Sequence, residues 1–187
     1  MEKGIDLSNR SSPYSLKVRI ARVLWVVVYY TLFRFSPNPL RKWRVFILRL
    51  FGGDVSYKAR VSSSAIISMP WNLHMEEYAV LGPKTICYCT EAVHIGSHSV
   101  VSQYSYLCTA THDYEDQAFP LYARPVVIKE SAWICADVFV GPGVIIGSGA
   151  VVGARSSVYK DVPSWKVCVG NPAKAIKDRV IIPKIKQ

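Results

Sequence analysis

The stretch IKESAWICADVFVGPGVIIGSGAVVGARSSVYKDV, residues 128–162, repeats with a period of six. Aliphatic side chains stand at Ile128, Ile134, Val140, Ile146, Val152 and Val158. Four places after each comes a small or β-branched residue: Ala132, Val138, Val144, Ala150, Ser156 and Val162. Glycine directly follows the aliphatic at 141, 147 and 153. An α-helix repeats near 3.6 residues and a lone strand at 2.0, so neither gives a period of six. A coil of short strands joined by tight corners does. The aliphatic points inward on each face, the small residue fits where the chain turns, and glycine relieves backbone crowding. Three such faces close a triangular coil of about eighteen residues.

The same frame extends upstream. Val55, Val61 and Ile67 open hexads, as do Met75, Leu81 and Cys87, then Ile95, Val101 and Leu107, making fifteen hexads or five coils. The interruptions are ordered. Two residues follow the third hexad of the first coil (Leu73, His74), two follow that of the second (Val93, His94), and fifteen follow that of the third (113–127). All three therefore fall at one corner of the prism. Stacked coils pair as parallel strands about 4.8 Å apart. Handedness does not follow from the spacing, and the general crossover rule favours right-handed connections.

The expected organisation is a helical segment over 1–53, the β-helix over 54–163 with its loop at 113–127, and a tail over 164–187. Residues 15–35 read as a helix, apolar almost all round, which Ser36-Pro-Asn-Pro ends. A second helix is expected from Asn38 as N-cap and Pro39 at the first helical position. Leu40, Trp43, Ile47 and Leu50 would line one face, and Gly52-Gly53 stop it. In the tail, 167–170 reads as one more strand, and Asn171-Pro172 opens a short basic helix or extension. Residues 1–53 hold ten Lys/Arg against Glu2 and Asp6, so they carry +8 of the net +10. Such asymmetry marks a basic appendage and argues against a nucleic-acid-binding core. Two uses for the appendage stand together: covering the open strand edge of the β-helix, or docking peripherally on an anionic membrane. The longest apolar run, 23–33, is eleven residues, short of the roughly 18–20 a span needs. No signal peptide is evident, and a cytoplasmic location is expected. The five cysteines include no CxxC pair and read as buried small hydrophobes.

Four histidines carry the candidate chemistry. His98 sits at an ordinary coil position. His74, His94 and His112 share the insertion corner, and His112 opens the long loop within Thr111-His112-Asp113-Tyr114. Loops of that length in a compact repeat are usually functional, and histidine is suited to proton transfer near neutral pH. Asp113, Glu115 and Asp116 are all available to orient the imidazole, and the sequence does not choose among them. Three histidines stacked on adjacent coils span roughly 9–10 Å, too far to share a zinc ion bound at about 2.0–2.1 Å per nitrogen. Two neighbours, or residues of separate subunits, leave a metal site open. No Walker A loop, GxGxxG, GxSxG or HExxH is present.

Taken together, the hexads, the Thr-His opening a loop, Ala132-Trp133-Ile134, Gly153-Ala154, Lys160-Asp161-Val162-Pro163 and Gly170-Asn171-Pro172-Ala173-Lys174 resemble the hexapeptide-repeat acetyltransferases. The likeness covers about residues 37–180 and is greatest to the colanic-acid-biosynthesis type, through the Pro-Asn-Pro-Leu helix, Ser105-Tyr106-Leu107-Cys108-Thr109 and Phe119-Pro120-Leu121. The resemblance implies a left-handed parallel β-helix and a homotrimer with active sites between subunits. It implies acetyl-CoA as acyl donor and a sugar hydroxyl as acceptor. It assigns His112 as catalytic base and Trp133 beside the pantetheine arm. Ala136, Ala154, Tyr159 and Lys160 take coenzyme-lining places, and Lys174 and Lys177 lie near the nucleotide phosphates. Packing between coils is the competing reading for Trp133, and simple solvation for the lysines. Two departures bear on acceptor identity. Cys135 stands where many members have Gly, and Cys87-Tyr88-Cys89 occupies the stretch that in some members holds an acceptor-binding Asn. The alternatives are a γ-carbonic-anhydrase-like zinc enzyme and a non-catalytic trimeric scaffold.

Overall fold

The computed structural model describes residues 12–182. Residues 1–11 of the expected N-terminal segment and 183–187 of the expected tail lie outside them.

The hexads become two- or three-residue strands separated by corners. The first coil is β1 (Asp54–Val55), β2 (Arg60–Val61) and β3 (Ile66–Ile67). The second is β4 (Leu73–Met75), β5 (Val80–Leu81) and β6 (Ile86–Tyr88), and the third β7 (Val93–Ile95), β8 (Val100–Val101) and β9 (Tyr106–Cys108). A hairpin of β10 (Ala110–His112) and β11 (Leu121–Ala123) then leaves the stack. The fourth coil is β12 (Val126–Ile128), β13 (Trp133–Ile134) and β14 (Phe139–Val140), and the fifth β15 (Ile145–Ile146), β16 (Val151–Val152) and β17 (Ser157–Val158). Corresponding strands pair in parallel to give three faces: β1-β4-β7-β12-β15, β2-β5-β8-β13-β16, and β3-β6-β9-β14-β17. The inward aliphatics, from Val55 to Val158, are buried along one continuous core. Crowding at the corners is real: a Cβ on Gly147 would lie 2.4 Å from the Ser164 nitrogen.

The stack is longer than the five coils counted from the hexads. Val162 bridges in parallel to Ile146, and β18 (Lys166–Val169) pairs with β16 on the second face. Most of a sixth coil is therefore built. The count missed it because the inward residue after Val158 arrives at Val162, four places on, and the period of six resumes only at Cys168. The tail also departs from the helix alternative. Lys174–Asp178 forms β19, antiparallel to β18.

All three interruptions do lie at the corner between the third and first faces. His74 and His94, however, belong to strands β4 and β7, where they are register partners. The extra residues of the first interruption are absorbed just before, in a 3-10 turn at Pro70–Asn72. The long loop is likewise ordered, since β11 and the start of β12 fall within it.

At the N-terminus, α1 (Leu16–Val28) is capped by Ser15 and continues in π winding over Tyr29–Phe33. The wider winding offsets the drift that a spacing of four accumulates in an α-helix, so Trp25, Tyr29 and Phe33 all face the core. A 3-10 turn, Asn38–Leu40, leads into α2 (Arg41–Leu50). The Asn38 side chain caps nothing, and Pro37 holds the N-cap position. The inward face of α2 also differs from expectation. Arg44, Val45, Ile47 and Leu48 are buried, whereas Leu40, Trp43 and Leu50 are exposed. Burying Arg44 has a physical reason in the strand edge it covers.

The first coil presents outward carbonyls on all three faces, and each receives one side-chain donor. Arg49 Nη1 donates to Val55 O at 3.0 Å, Arg44 Nε to Val61 O at 2.8 Å, and Trp25 Nε1 to Ile67 O at 2.6 Å. Arg44 also reaches Ser36 Oγ and the carbonyls of Pro37 and Asn38. The helices therefore close the open end by hydrogen bonds as well as by packing.

Candidate active site

His112 closes β10, opposite Leu121 of β11, and is half-buried. Its Nδ1 lies 2.9 Å from the carbonyl oxygen of Phe119. The imidazole also stacks on the Phe119 ring, with centroids 4.5 Å apart and planes within 5°. Phe119 adopts φ 48°, a left-handed conformation that turns the chain back at the hairpin tip. A carbonyl can only accept, so Nδ1 carries the hydrogen and the neutral ring keeps its lone pair on Nε2.

The sequence left three carboxylates as orienting partners, and two of them are engaged in the loop backbone. Asp113 Oδ1 accepts from Glu115 N at 3.0 Å, and Asp116 Oδ1 from Ala118 N at 2.8 Å. The partner of Nδ1 is the Phe119 carbonyl. Nothing in residue type signals such a role, because every residue has a carbonyl and only the hairpin's path brings this one to the imidazole.

A cavity of about 440 Å³ opens beside His112, lined also by Pro13, Tyr14, Tyr88, Phe119 and Leu121. Tyr14 arrives from the lead-in to α1, where its hydroxyl lies 3.4 Å from Thr90 Oγ1 and Arg22 covers its ring. No periodicity marks Tyr14, so sequence reading had no route to it. From Tyr88 an aromatic column runs over the third face: Tyr88–Tyr106, Tyr106–Phe139 and Phe139–Tyr159, at 6.5, 5.6 and 5.6 Å between centroids. Tyr159 thus connects through ring contacts to the wall of the His112 cavity.

Trp133 lies elsewhere, on β13 of the second face, 46 % exposed, with its indole donating to Ser102 Oγ at 3.0 Å. It borders a separate hollow of about 450 Å³ with His98, Ser102 and Arg179. Lys174 and Lys177 project from β19 on that same sheet, exposed. Ala136 and Ala154 occupy one corner, between the second and third faces, on successive coils. There the Ala136 carbonyl accepts from Arg155 N at 3.0 Å. Beside Ala136, Cys135 is partly buried, and burial pushes its thiol up. Lys160 follows Tyr159 at the corner that carries His112. Among the described residues, no carboxylate pairs with Lys160, Lys174 or Lys177. One chain therefore holds the expected site residues at three places, the corner of His112 and Lys160, the second face with Trp133, and the corner of Ala136 and Ala154, and it does not bring His112 and Trp133 into one of the hollows described.

Another hollow, of about 1110 Å³, lies along the first face over Asp54, His74, His94 and Glu76. His74 and His94 stack face to face at 4.4 Å and 12°. Stacked rings aim their nitrogens along parallel planes, not at a common point. Among the described residues no group of three or more His, Cys, Asp or Glu is arranged to hold a metal ion.

The bacterial transferase hexapeptide (six repeats) family matches residues 125–160. Over 177 residues the chain is 46% identical to the "Putative colanic acid biosynthesis acetyltransferase WcaF" of Escherichia coli (strain K12), covering 94% of this chain and 97% of that protein. Among solved structures it is similar to a maltose O-acetyltransferase from Clostridium difficile 630, at 27% identity and TM-score 0.80 over 89% of this chain and 90% of that one. The hexapeptide-repeat acetyltransferase VCA0836 from Vibrio cholerae, complexed with acetyl coenzyme A, superposes with TM-score 0.82 over 92% of this chain and 94% of its own. At 21% identity that likeness speaks for the fold alone.

Proposed function

The chain belongs to the hexapeptide-repeat acetyltransferases, and from that membership we propose that it moves an acetyl group from acetyl-CoA directly to a sugar hydroxyl, with His112 as general base. The observation that carries this reading is the 2.9 Å contact of His112 Nδ1 with the Phe119 carbonyl, which makes Nδ1 the donor in a histidine that lines a cavity. The acceptor oxygen bonds to the thioester carbonyl carbon and the C–S bond breaks. His112 takes the hydroxyl proton and returns it to the departing thiolate. A thioester is already activated, so no enzyme-bound acyl intermediate is required.

In this reading Trp133 lies along the pantetheine arm, and Ala136, Ala154, Tyr159 and Lys160 flank the coenzyme on the later coils. Lys174 and Lys177 meet the nucleotide phosphates as point charges. The separation of His112 from Trp133 within one chain supports a homotrimer in which neighbouring copies complete each site. The acceptor is a small-molecule sugar such as a nucleotide-linked one, or a lipid-linked sugar, of surface-polysaccharide biosynthesis, handled in the cytoplasm. The 46% identity to a protein named for colanic acid biosynthesis supports that context.

The test is thiol release from acetyl-CoA by the purified full chain against a panel of sugars and nucleotide sugars. Acceptor-dependent release is expected, and His112→Ala should lower kcat by about 10²–10⁴-fold with the melting temperature unchanged. Equal rates for the two proteins would remove His112 from the chemistry. Activity that vanishes on chelation and returns with zinc would favour the metalloenzyme. No release with any acceptor, and no thermal stabilisation by acetyl-CoA, would favour the scaffold.

A further inference from the structure

The N-terminal helices do more than cover the first coil, because their outer surface is also apolar. On α1 the inward line is Trp25 and its neighbours, while Leu16, Ile20, Val23, Leu24 and Val27 all point away from the core and are exposed. Val23 is 64 % exposed and Leu24 56 %. Beyond the π segment, Phe35 is 79 % exposed, and α2 adds Trp43, Phe46 and Leu50. The Trp43 indole donates to the Leu32 carbonyl at 3.1 Å, and its ring stacks on Phe46, so the outer sides of both helices join. A shallow groove of about 310 Å³ runs along α1 between Leu16, Arg19, Ile20, Val23 and Leu24. Contiguous exposed apolar surface of this kind marks an interaction site.

Charge identifies the partner. From Leu7 to Gly53 the sequence contains no Asp or Glu. Lys17, Arg19, Arg41 and Lys42 are exposed around the apolar side chains, while Arg44 and Arg49 are occupied at the strand edge. Apolar and aromatic side chains flanked by cations with no anion among them suit the boundary of an anionic bilayer. Among the described residues no helix is long and apolar enough to cross a membrane. We propose that the outer face of α1 and α2 lies on an anionic membrane surface and holds the protein there peripherally. Pro13 and Tyr14, which lead into α1, line the His112 cavity, so the docked surface begins beside that cavity. The docking itself does not depend on the acetyl-transfer reading.

The test is co-sedimentation of the full chain with vesicles of phosphatidylcholine alone or mixed with phosphatidylglycerol. Binding to the mixed vesicles is expected, weakened by salt and by omission of the anionic lipid. Val23→Asp/Leu24→Asp and, separately, Arg41→Glu/Lys42→Glu should each reduce binding roughly tenfold or more, with melting temperature and oligomeric mass unchanged. If the first variant does not fold, the charge-reversed one decides. The proposal is overturned by a wild-type protein that ignores anionic vesicles, or by variants that bind as well as wild type. A change of oligomeric mass in Val23→Asp/Leu24→Asp would also overturn it, since the face would then be a contact between copies.

Discussion

His112 and Phe119 are joined twice, by a hydrogen bond from the imidazole Nδ1 to the Phe119 carbonyl and by face-to-face stacking of their rings. The bond sets the tautomer and the stack sets the ring plane. Both depend on one backbone turn, in which Phe119 N donates to Asp116 O and Asp113 N donates to Pro120 O.

Phe119→Ala keeps the carbonyl and removes the stack. The imidazole should then sample orientations that miss the acceptor hydroxyl. The expected outcome is a fall in kcat of about tenfold, close to 1.4 kcal/mol, with KM for acetyl-CoA unchanged. A purely structural role would instead lower the melting temperature and leave kcat of the folded fraction intact.

Placement of His112 and Trp133 on different faces of one chain makes subunit mixing informative. His112→Ala and Trp133→Ala should each be nearly inactive alone. If each site takes His112 from one copy and Trp133 from its neighbour, denaturing and reassembling an equal mixture restores about one quarter of the sites. Recovery of activity on mixing is the expected result. A mixture no more active than its components would place both residues in a site within one chain.

Arg44 is 3 % exposed, and its guanidinium serves Val61, Ser36, Pro37 and Asn38 at once. Arg44→Met fills similar volume but takes the donor away from the buried Val61 carbonyl and Ser36 hydroxyl, at a cost of about 2–4 kcal/mol. Arg44→Lys should recover part of this, because a single ammonium cannot span the same fork of acceptors. Denaturant titration of the three proteins measures the order, expected as wild type, Lys, Met.

Burial, and then the neighbouring His74 imidazole, hold His94 below the ordinary histidine range. The unfolded chain therefore takes up this proton first as pH falls. Stability linked to His94 is fully present above the unfolded value of about 6.5 and is lost as pH drops through the lower folded value. Thermal melts between about pH 5 and 8 should show wild type losing more stability on acidification than His94→Gln. Parallel curves for the two proteins would show that the histidine stack has no part in the acid response.

The hexads were legible because inward packing repeats in register with the chain. Each aliphatic from Val55 to Val158 that the period of six picks out lies in the core, and the interruptions share one corner. The loop that carries His112 was legible as a break in that period. Covering of the open end was legible too, as an apolar segment ahead of a strand edge that needed partners. By itself, then, the sequence determined the coil, its faces and the corner where the chemistry is expected. Tertiary structure alone decided which groups meet there. Tyr14 reaches the cavity, and the Phe119 carbonyl fixes His112, through contacts between segments whose spacing follows no period. It also decided that Arg44 turns inward while Trp43 turns outward. The carbonyls of the first coil need donors, and a hydrogen-bond requirement at one end of a stack leaves no periodic mark in the residues that satisfy it.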